Sequence, residues 1–146
     1  MRDTNHAELV KGLNADLALV YRAIISYITY AAIVTEVQRK DLGESFVGNI
    51  QAKVWQATRL ADRIVHFGGL PTTIPVSVNR AVYTWQMLEE ALELESDIIK
   101  RYVKRMHEAE AFGEFELLSE LRAMMENGTR QKDALEGHLR KYFQEC

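Results

Sequence analysis

Two residues of opposite charge, Lys53 and Glu95, fall where the spacing of apolar residues predicts the buried face of a helix. A buried glutamate can bind a hard cation through its carboxylate, whereas a lysine ammonium would repel that cation. Either charge alone would be costly to bury, but the two together can neutralise each other. We therefore expect a Lys53–Glu95 ion pair in the core. The alternative is a shift of register that lets Lys53 reach the surface.

Four amphipathic runs must position this pair. In each run the apolar residues step by three and four, the narrow stripe of a bundle helix. The stripes are Leu13, Leu17, Val20, Ile24, Tyr27 and Ala31 in helix A; Phe46, Ile50, Ala57, Leu60, Ile64 and Phe67 in helix B; Trp85, Leu88, Leu92, Ile99, Tyr102 and Met106 in helix C; and Leu118, Leu121, Met125, Leu135, Leu139 and Tyr142 in helix D.

Cap and turn residues separate the runs, and the loops differ in length. The segment between helices B and C covers about fourteen residues and can extend over about 46 Å, more than the length of helix B, at about 35 Å. The sequence thus predicts an all-α four-helix bundle with one long crossover between B and C, in a single domain, 1–146. The signals are an N-cap at Asp3, Thr4 and Asn5, a break at Asp41–Glu44 with Ser45 as the next cap, Gly68, Gly69 and Pro71 after helix B, a loop at Thr72–Asn79, and Gly113 after helix C.

The centre of the predicted bundle is poor in metal ligands. A two-metal site in such a bundle takes a glutamate from each of two helices and a Glu-x-x-His pair from each of the other two. Only Glu95 supplies a carboxylate here, and the Asn127-Gly128 dipeptide either lies in a smooth helix D or interrupts it. The six central positions are Val20, Lys53, Gln56, Glu95, Gly128 and Gln131.

Several segments resemble bacterioferritins and rubrerythrin-related ferritin-like proteins, over essentially the whole chain. The resemblance implies a ferritin-like fold, with ferroxidase activity, oxygen or peroxide chemistry and iron storage. It rests on Leu13-Asn14 through Val20 to Tyr27, Ala61-Asp62-Arg63-Ile64 running into Gly69-Leu70-Pro71, Met87-Leu88 to Glu95, and Ala111–Phe115 to Leu121-Arg122.

The same resemblance identifies what has changed. In the family, glutamates stand at the positions of Val20, Lys53, Glu95 and Gly128, and histidines at those of Gln56 and Gln131, so five of the six ligands differ here. A methionine on helix B binds haem in bacterioferritins, and the matching residue is Val54, so haem is not expected.

These observations predict a non-catalytic structural or binding subunit that needs no cofactor, with the ion pair in place of metals. The alternative is an iron-binding ferroxidase or oxidoreductase with a non-standard site, in which Glu95 is joined by water, His66 or residues of a partner chain. A third possibility is a cavity near Val20, Gln56 and Gly128 that binds a small apolar ligand.

Charge and composition bound the partners and location. The formal net charge of −3 gives no basic surface for nucleic acid. The apolar stretch Leu17–Val34 is interrupted by Arg22, which argues against a membrane span. The one cysteine, Cys146, and an N-terminus without a secretory signal favour the cytoplasm.

A second apolar stripe on helix A lies off the core face and would be exposed in a monomer. We therefore expect a homodimer or a higher homo-oligomer, and a different protein partner is also possible. The four histidines (His6, His66, His107 and His138) are interpreted as surface groups, and so are the charge runs of helix C: Glu89, Glu90, Glu93, Asp97, Lys100, Arg101, Lys104 and Arg105. The second stripe consists of Tyr21, Ile25, Ile28 and Ala32.

Overall fold

The computed structural model describes residues 4–36 and 39–145, which form four helices. The prediction of Asp3, Thr4 and Asn5 as an N-cap, and that of Cys146 in a terminal tail, fall on residues or side chains outside this description. The helices are α1 (Thr4–Glu36), α2 (Lys40–His66), α3 (Thr84–Ala111) and α4 (Phe115–Gln144).

Contacts between helices define the topology. Along α1 and α3, Asp16 bonds Arg105 and Tyr27 bonds Glu95, so these two helices are antiparallel. The antiparallel hairpin of α1 and α2 is followed by a crossover, residues 67–83, that returns the chain along the bundle before α3 begins. The predicted ferritin-like arrangement, with one long connection between the second and third helices, is confirmed.

The predicted boundary between the first two helices is wrong. Asp41–Glu44 does not break the chain, and Ser45 is not a cap, because α2 already begins at Lys40. Gly43 lies inside α2, where a β-carbon would come within 2.6 Å of Thr35 Oγ1. This glycine lets the two helices of the hairpin approach closely instead of ending a helix.

The later boundaries follow the glycines as predicted. Gly68 and Gly113 adopt positive φ angles, 85° and 72°, just beyond the ends of α2 and α3. Helix α4 runs without interruption through Gly128, so the alternative of a break there is wrong. On α3 the core face includes Met87 and Leu88, and Trp85, predicted to be in the core, is 38% exposed.

The crossover is a loop without strand, as expected, and it lies along α1. Asn14 holds its first part, since its amide donates to the Leu70 carbonyl at 3.1 Å and its Oδ1 accepts the Thr72 N–H at 2.8 Å. Further along, the Val76 N–H donates to the Ala18 carbonyl at 3.0 Å. These bonds satisfy backbone groups that have no sheet or helix partner.

Helix α1 is long and apolar enough to cross a membrane by length and composition alone. In the bundle, however, Leu9, Leu13 and Leu17 are fully buried against the other helices. Packing of a core helix therefore accounts for this apolar composition, as such a helix is hydrophobic over most of its surface.

A second group of buried charges, which the sequence did not reveal, joins α1 to α3. Arg105 is 2% exposed and donates to both carboxylate oxygens of Asp16, at 2.8 and 3.0 Å, and to Glu108 at 2.9 Å. Arg101 also donates to Asp16, at 2.8 Å. The interpretation of Arg105 as a surface charge is thus wrong, because the buried carboxylate of Asp16 draws its guanidinium inward, whereas Arg101 contacts the same carboxylate with its side chain still 34% exposed.

The Arg105 guanidinium lies across Gly12, where a β-carbon would come within 2.0 Å of Nη1. We expect Gly12→Ala to lower the free energy of unfolding by about 1–2 kcal/mol, because displacing the paired guanidinium outweighs alanine's better helix propensity. Gly48→Ala is the matched control, since no atom lies within 4 Å of the place that its methyl group would take; it should gain up to about 1 kcal/mol. Urea denaturation measures both, and equal stabilisation by the two substitutions would contradict the packing argument.

Candidate functional site

Four of the central positions, one from each helix, meet in the middle of the bundle. Val20, Lys53 and Glu95 have no exposed surface, and Gly128 is also buried. Lys53 Nζ lies 2.7 Å from Glu95 Oε1, so the structure brings the predicted pair together. The alternative in which Lys53 extends to the surface does not hold.

Two further side chains complete the surroundings of this pair. The Tyr27 hydroxyl donates to Glu95 Oε2 at 2.5 Å, and Lys53 Nζ donates to Gln131 Oε1 at 2.8 Å. Glu95 Oε1 is close to Nζ but receives no well-aligned hydrogen bond, because the ammonium is directed towards Gln131. We call Tyr27, Lys53, Glu95 and Gln131 the inner quartet.

The tyrosine is a permanent donor in this group. Burial, followed by the charge and hydrogen bond of Glu95, raises the pKa of the Tyr27 hydroxyl well above its ordinary value. The sequence predicted Tyr27 in the core stripe but not this role. The sequence signal that could have indicated this role is a general one, because a buried tyrosine hydroxyl usually has a hydrogen-bond partner.

Next to the inner quartet lies a neutral hydrogen-bonded chain. Tyr102 donates to Gln56 Oε1 at 2.6 Å, and the Gln56 amide nitrogen donates to Asn127 Oδ1 at 3.2 Å. Burial, then the charges of Asp16 and Glu95, raises the pKa of the Tyr102 hydroxyl well above its ordinary value. Gln56 thus bridges Tyr102 and Asn127, and Gln131 accepts a hydrogen bond from the Lys53 ammonium.

The space around Gly128 is filled rather than open. A β-carbon there would lie 3.4 Å from Ile99 Cγ1 and 3.8 Å from Glu95 Oε1. These are contact distances, so α4 packs closely on α3 at this point. The structure gives no support at Gly128 for the predicted cavity with Val20 and Gln56.

The residues present do not fit a two-metal centre. Val20 and Gly128 carry no ligand atom, and the one carboxylate among the six positions, Glu95, already contacts the Lys53 ammonium. Across residues 4–36 and 39–145, no group of three or more histidine, cysteine, aspartate or glutamate side chains is arranged to hold a metal ion. A metal cation at this place would have to displace the Lys53 ammonium, a positive charge that is part of the chain itself.

The histidines lie away from this centre. His6 does have a carboxylate neighbour, which the sequence did not reveal: its Nε2 lies 3.0 Å from Glu114 Oε1, at one end of the bundle. The His6 ring also stacks on Phe67, with the exposed His66 at the edge of the same ring. This group belongs to the packing of helix ends and shares no residue with the inner quartet.

The fold and the central positions define the class: a four-helix bundle of ferritin-like topology. A family model described as "Ferritin: Ferritin-like domain" matches residues 10–143, and the chain belongs to this family. The comparison with curated protein sequences finds no match.

Two solved structures illustrate the similarity. One, described as a ferritin-like, diiron-carboxylate protein from Bacillus anthracis str. Ames, is 38% identical, with a TM-score of 0.90 over 94% of this chain and 99% of that one. The other is bacterioferritin from Rhodobacter capsulatus, described with a metal-free dinuclear site and heme iron. It is 18% identical, with a TM-score of 0.89 over 94% of this chain and 87% of that one, and at this identity it shows the fold alone.

The buried pair predicts strong energetic coupling. Lys53→Met and Glu95→Gln, made singly, should each lower the free energy of unfolding by about 3–5 kcal/mol, because each leaves a buried charge without its partner. The double variant should cost less than the sum by about 2–3 kcal/mol. Urea denaturation at neutral pH measures all three.

The exposed pair Lys141–Asp41, with side chains 63% and 64% exposed and 3.5 Å apart, provides the matched control. A cycle with Lys141→Met and Asp41→Asn should show coupling near zero, since water and salt screen such pairs. Additive effects at Lys53 and Glu95 would mean that the two charges do not depend on each other.

Proposed function

We propose that this chain is a non-catalytic ferritin-like protein, a soluble cytoplasmic subunit with a structural or binding role and no cofactor. The observation that carries the proposal is the Lys53–Glu95 contact of 2.7 Å between two fully buried side chains. The Lys53 ammonium is a cation at the centre of the bundle that belongs to the chain itself. The Lys53 charge and the amide at Gln131 occupy the place that metal ligands would need.

The proposal has a physical basis in charge balance. A divalent cation is bound when several anionic or neutral oxygen and nitrogen donors converge on it. Here the inner quartet offers one carboxylate, and its charge is already matched by Lys53. Adding metal would leave uncompensated positive charge in a region from which water is excluded, which is unfavourable by several kcal/mol.

The second candidate is an iron-binding ferroxidase or oxidoreductase with a non-standard site. The description of the Bacillus anthracis relative as a diiron-carboxylate protein favours it, as does the Glu95 Oε1 atom without a well-aligned hydrogen bond. His66, however, ends α2, and the rise of about 1.5 Å per residue places it about 20 Å along the helix from Lys53. Such a site would therefore depend on water or a partner chain for ligands.

Metal content and oxygen consumption distinguish the two candidates. The purified chain is incubated anaerobically with ferrous iron, desalted, assayed for iron, and then exposed to air in an oxygen electrode. We expect almost no bound iron and no oxygen uptake, because the inner quartet offers a single carboxylate and that carboxylate is paired with Lys53. The Bacillus anthracis relative, treated identically, is the comparison protein. One or two irons per chain with rapid oxygen uptake would overturn the non-catalytic assignment.

We also propose that the chain forms a homodimer through the second stripe of α1. Ile25 is 42% exposed and Ile28 is 54% exposed, on a helix 33 residues long. On the adjacent crossover, Ile74 is 73% exposed. A two-fold axis would repeat each apolar contact, so a pair of α1 helices could cover this surface in a second copy.

A charge placed in the stripe tests the dimer. Ile28→Asp should convert a dimer into a monomer, because two buried aspartates would face each other across the axis without counter-charges. Val103→Asp is the matched control, since Val103 is 39% exposed on α3 and lies outside the stripe. Sedimentation equilibrium gives the mass of each variant. A wild-type monomer, or a dimer unaffected by Ile28→Asp, would contradict the proposed interface.

A further inference from the structure

The second half of the crossover borders a hollow on the surface of α1. The Val76 N–H fixes this segment to α1 by donating to the Ala18 carbonyl at 3.0 Å. The Asn79 amide fixes it to α3 by donating to Glu90 Oε1 at 3.3 Å. The hollow has a volume of about 580 Å³, and sites for small molecules usually measure about 300–1,000 Å³. Its lining includes Tyr30 and Ile33 of α1 and Val78, Arg80, Ala81 and Val82 of the crossover.

The lining is mostly apolar, and part of it is exposed to water. Tyr30 and Ala81 are almost fully buried, at 2% and 6% exposure, whereas Val82 is 69% exposed. Ile33 and Val78 are half-buried. A hydrocarbon chain bound here would remove this apolar surface from water, which is favourable in proportion to the area buried. The hollow is therefore suited to an aliphatic group.

One cation accompanies this apolar lining. Arg80 is exposed, and it forms no ion pair or hydrogen bond with any residue that the structure describes. Arg22 and Arg105, by contrast, are paired with carboxylates. A guanidinium has several N–H donors in one plane, which match the two oxygens of a carboxylate. We propose that the hollow binds an amphipathic carboxylate, an aliphatic chain of about eight carbons whose terminal carboxylate pairs with Arg80.

Three glutamates of α3 lie near Arg80 and oppose an anionic ligand. Glu89, Glu90 and Glu93 line a neighbouring depression together with Arg80. Glu90 is already engaged by Arg22, at 3.4 Å. Glu89 and Glu93 are exposed, so water and salt screen their charges, and neither is paired with Arg80. The Arg80 guanidinium is therefore available to a ligand that brings its own carboxylate.

This inference gives a ligand to the binding role of the proposed function and rests on it. The two are tested by different measurements, since the readout of one is carboxylate binding and that of the other is iron and oxygen uptake. A chain that binds neither iron nor carboxylate keeps its non-catalytic assignment and loses this ligand. A chain that binds carboxylate and also takes up iron keeps the ligand and loses the non-catalytic assignment. The lining shares no residue with the inner quartet, so the ligand leaves the Lys53–Glu95 pair intact.

The experiment is isothermal titration calorimetry of the purified chain with sodium octanoate at neutral pH. We expect saturable binding of one octanoate per chain, with a dissociation constant below about 1 mM. Hexanoate is shorter by two methylene groups and should bind about tenfold more weakly, because each buried methylene contributes to affinity. No saturable binding of octanoate, or equal affinity for the two acids, would overturn the inference.

Arg80→Gln tests the charge, because it removes a guanidinium from an exposed position without disturbing core packing. We expect octanoate to bind this variant about five- to tenfold more weakly than the wild type. The affinity for 1-octanol, which has the same chain length and no charge, should stay unchanged. Arg130→Gln is the matched control, since Arg130 is exposed on α4 and also has no partner among the described residues. Equal weakening in both arginine variants, or equal loss for octanoate and octanol, would overturn the pairing with Arg80.

A negative charge in the lining locates the ligand. Val82→Asp should weaken octanoate binding at least about tenfold, because it replaces apolar surface with a charge of the same sign as the ligand. Val65→Asp is the matched control, since Val65 is 60% exposed on α2 and does not line the hollow. Octanoate should bind this control as it binds the wild type. An unchanged affinity in Val82→Asp, or an equal loss in both variants, would place the ligand elsewhere and overturn the inference.

Discussion

The dry pairing of Lys53 with Glu95 is the constraint on which the centre of this bundle depends. Each residue comes from a different helix, and neither has exposed surface, so neither charge can be left to water. The Tyr27 hydroxyl donates to Glu95 Oε2, and the Gln131 side-chain oxygen accepts a hydrogen bond from Lys53. Because a partly satisfied polar core is worse than an apolar one, the four helices must arrive together in one register.

The contacts within each helical hairpin differ in kind from the contacts between the two hairpins. Within the hairpins, close packing dominates: Gly43 lets α2 approach α1, and α4 packs at Gly128 against Ile99 of α3. Between the hairpins, directional polar bonds dominate, from Asp16 to Arg105 and from Lys53 to Gln131. Apolar packing tolerates small shifts, whereas a displacement by one helical turn would separate every one of these polar partners.

The sequence was sufficient for the fold and for the central pair, because both follow from periodicity. Residues 53 and 95 interrupt strongly apolar stripes, so the spacing alone places a lysine and a glutamate in the core. Periodicity carries no information about hydrogen-bond direction, and the hydroxyl of Tyr27 and the amide of Asn127 were therefore missed as members of the network. Arg105 was missed because the predicted stripe of α3 omitted it.

The glycines show a further limit of predicting helix boundaries from the sequence of each helix alone. Gly43 lies in a short polar stretch, which suggested a helix end, and Gly128 follows an asparagine, which suggested a kink. Both lie inside helices: at Gly43 the Thr35 hydroxyl occupies the space that a β-carbon would take, whereas at Gly128 a β-carbon would make an ordinary contact with Ile99. The propensity of an isolated glycine is outweighed by such tertiary contacts.

A cation that is part of the chain also changes how the fold responds to its surroundings. A bundle completed by bound metal is stabilised in proportion to the logarithm of metal concentration, so its stability follows metal supply. Lys53 is present in every molecule, and its charge is matched by Glu95 alone. Under the proposed function, the inner quartet therefore retains the ferritin-like architecture while making its stability independent of metal supply. The amides at Gln56 and Gln131 suit this role, because an amide can both donate and accept without adding charge.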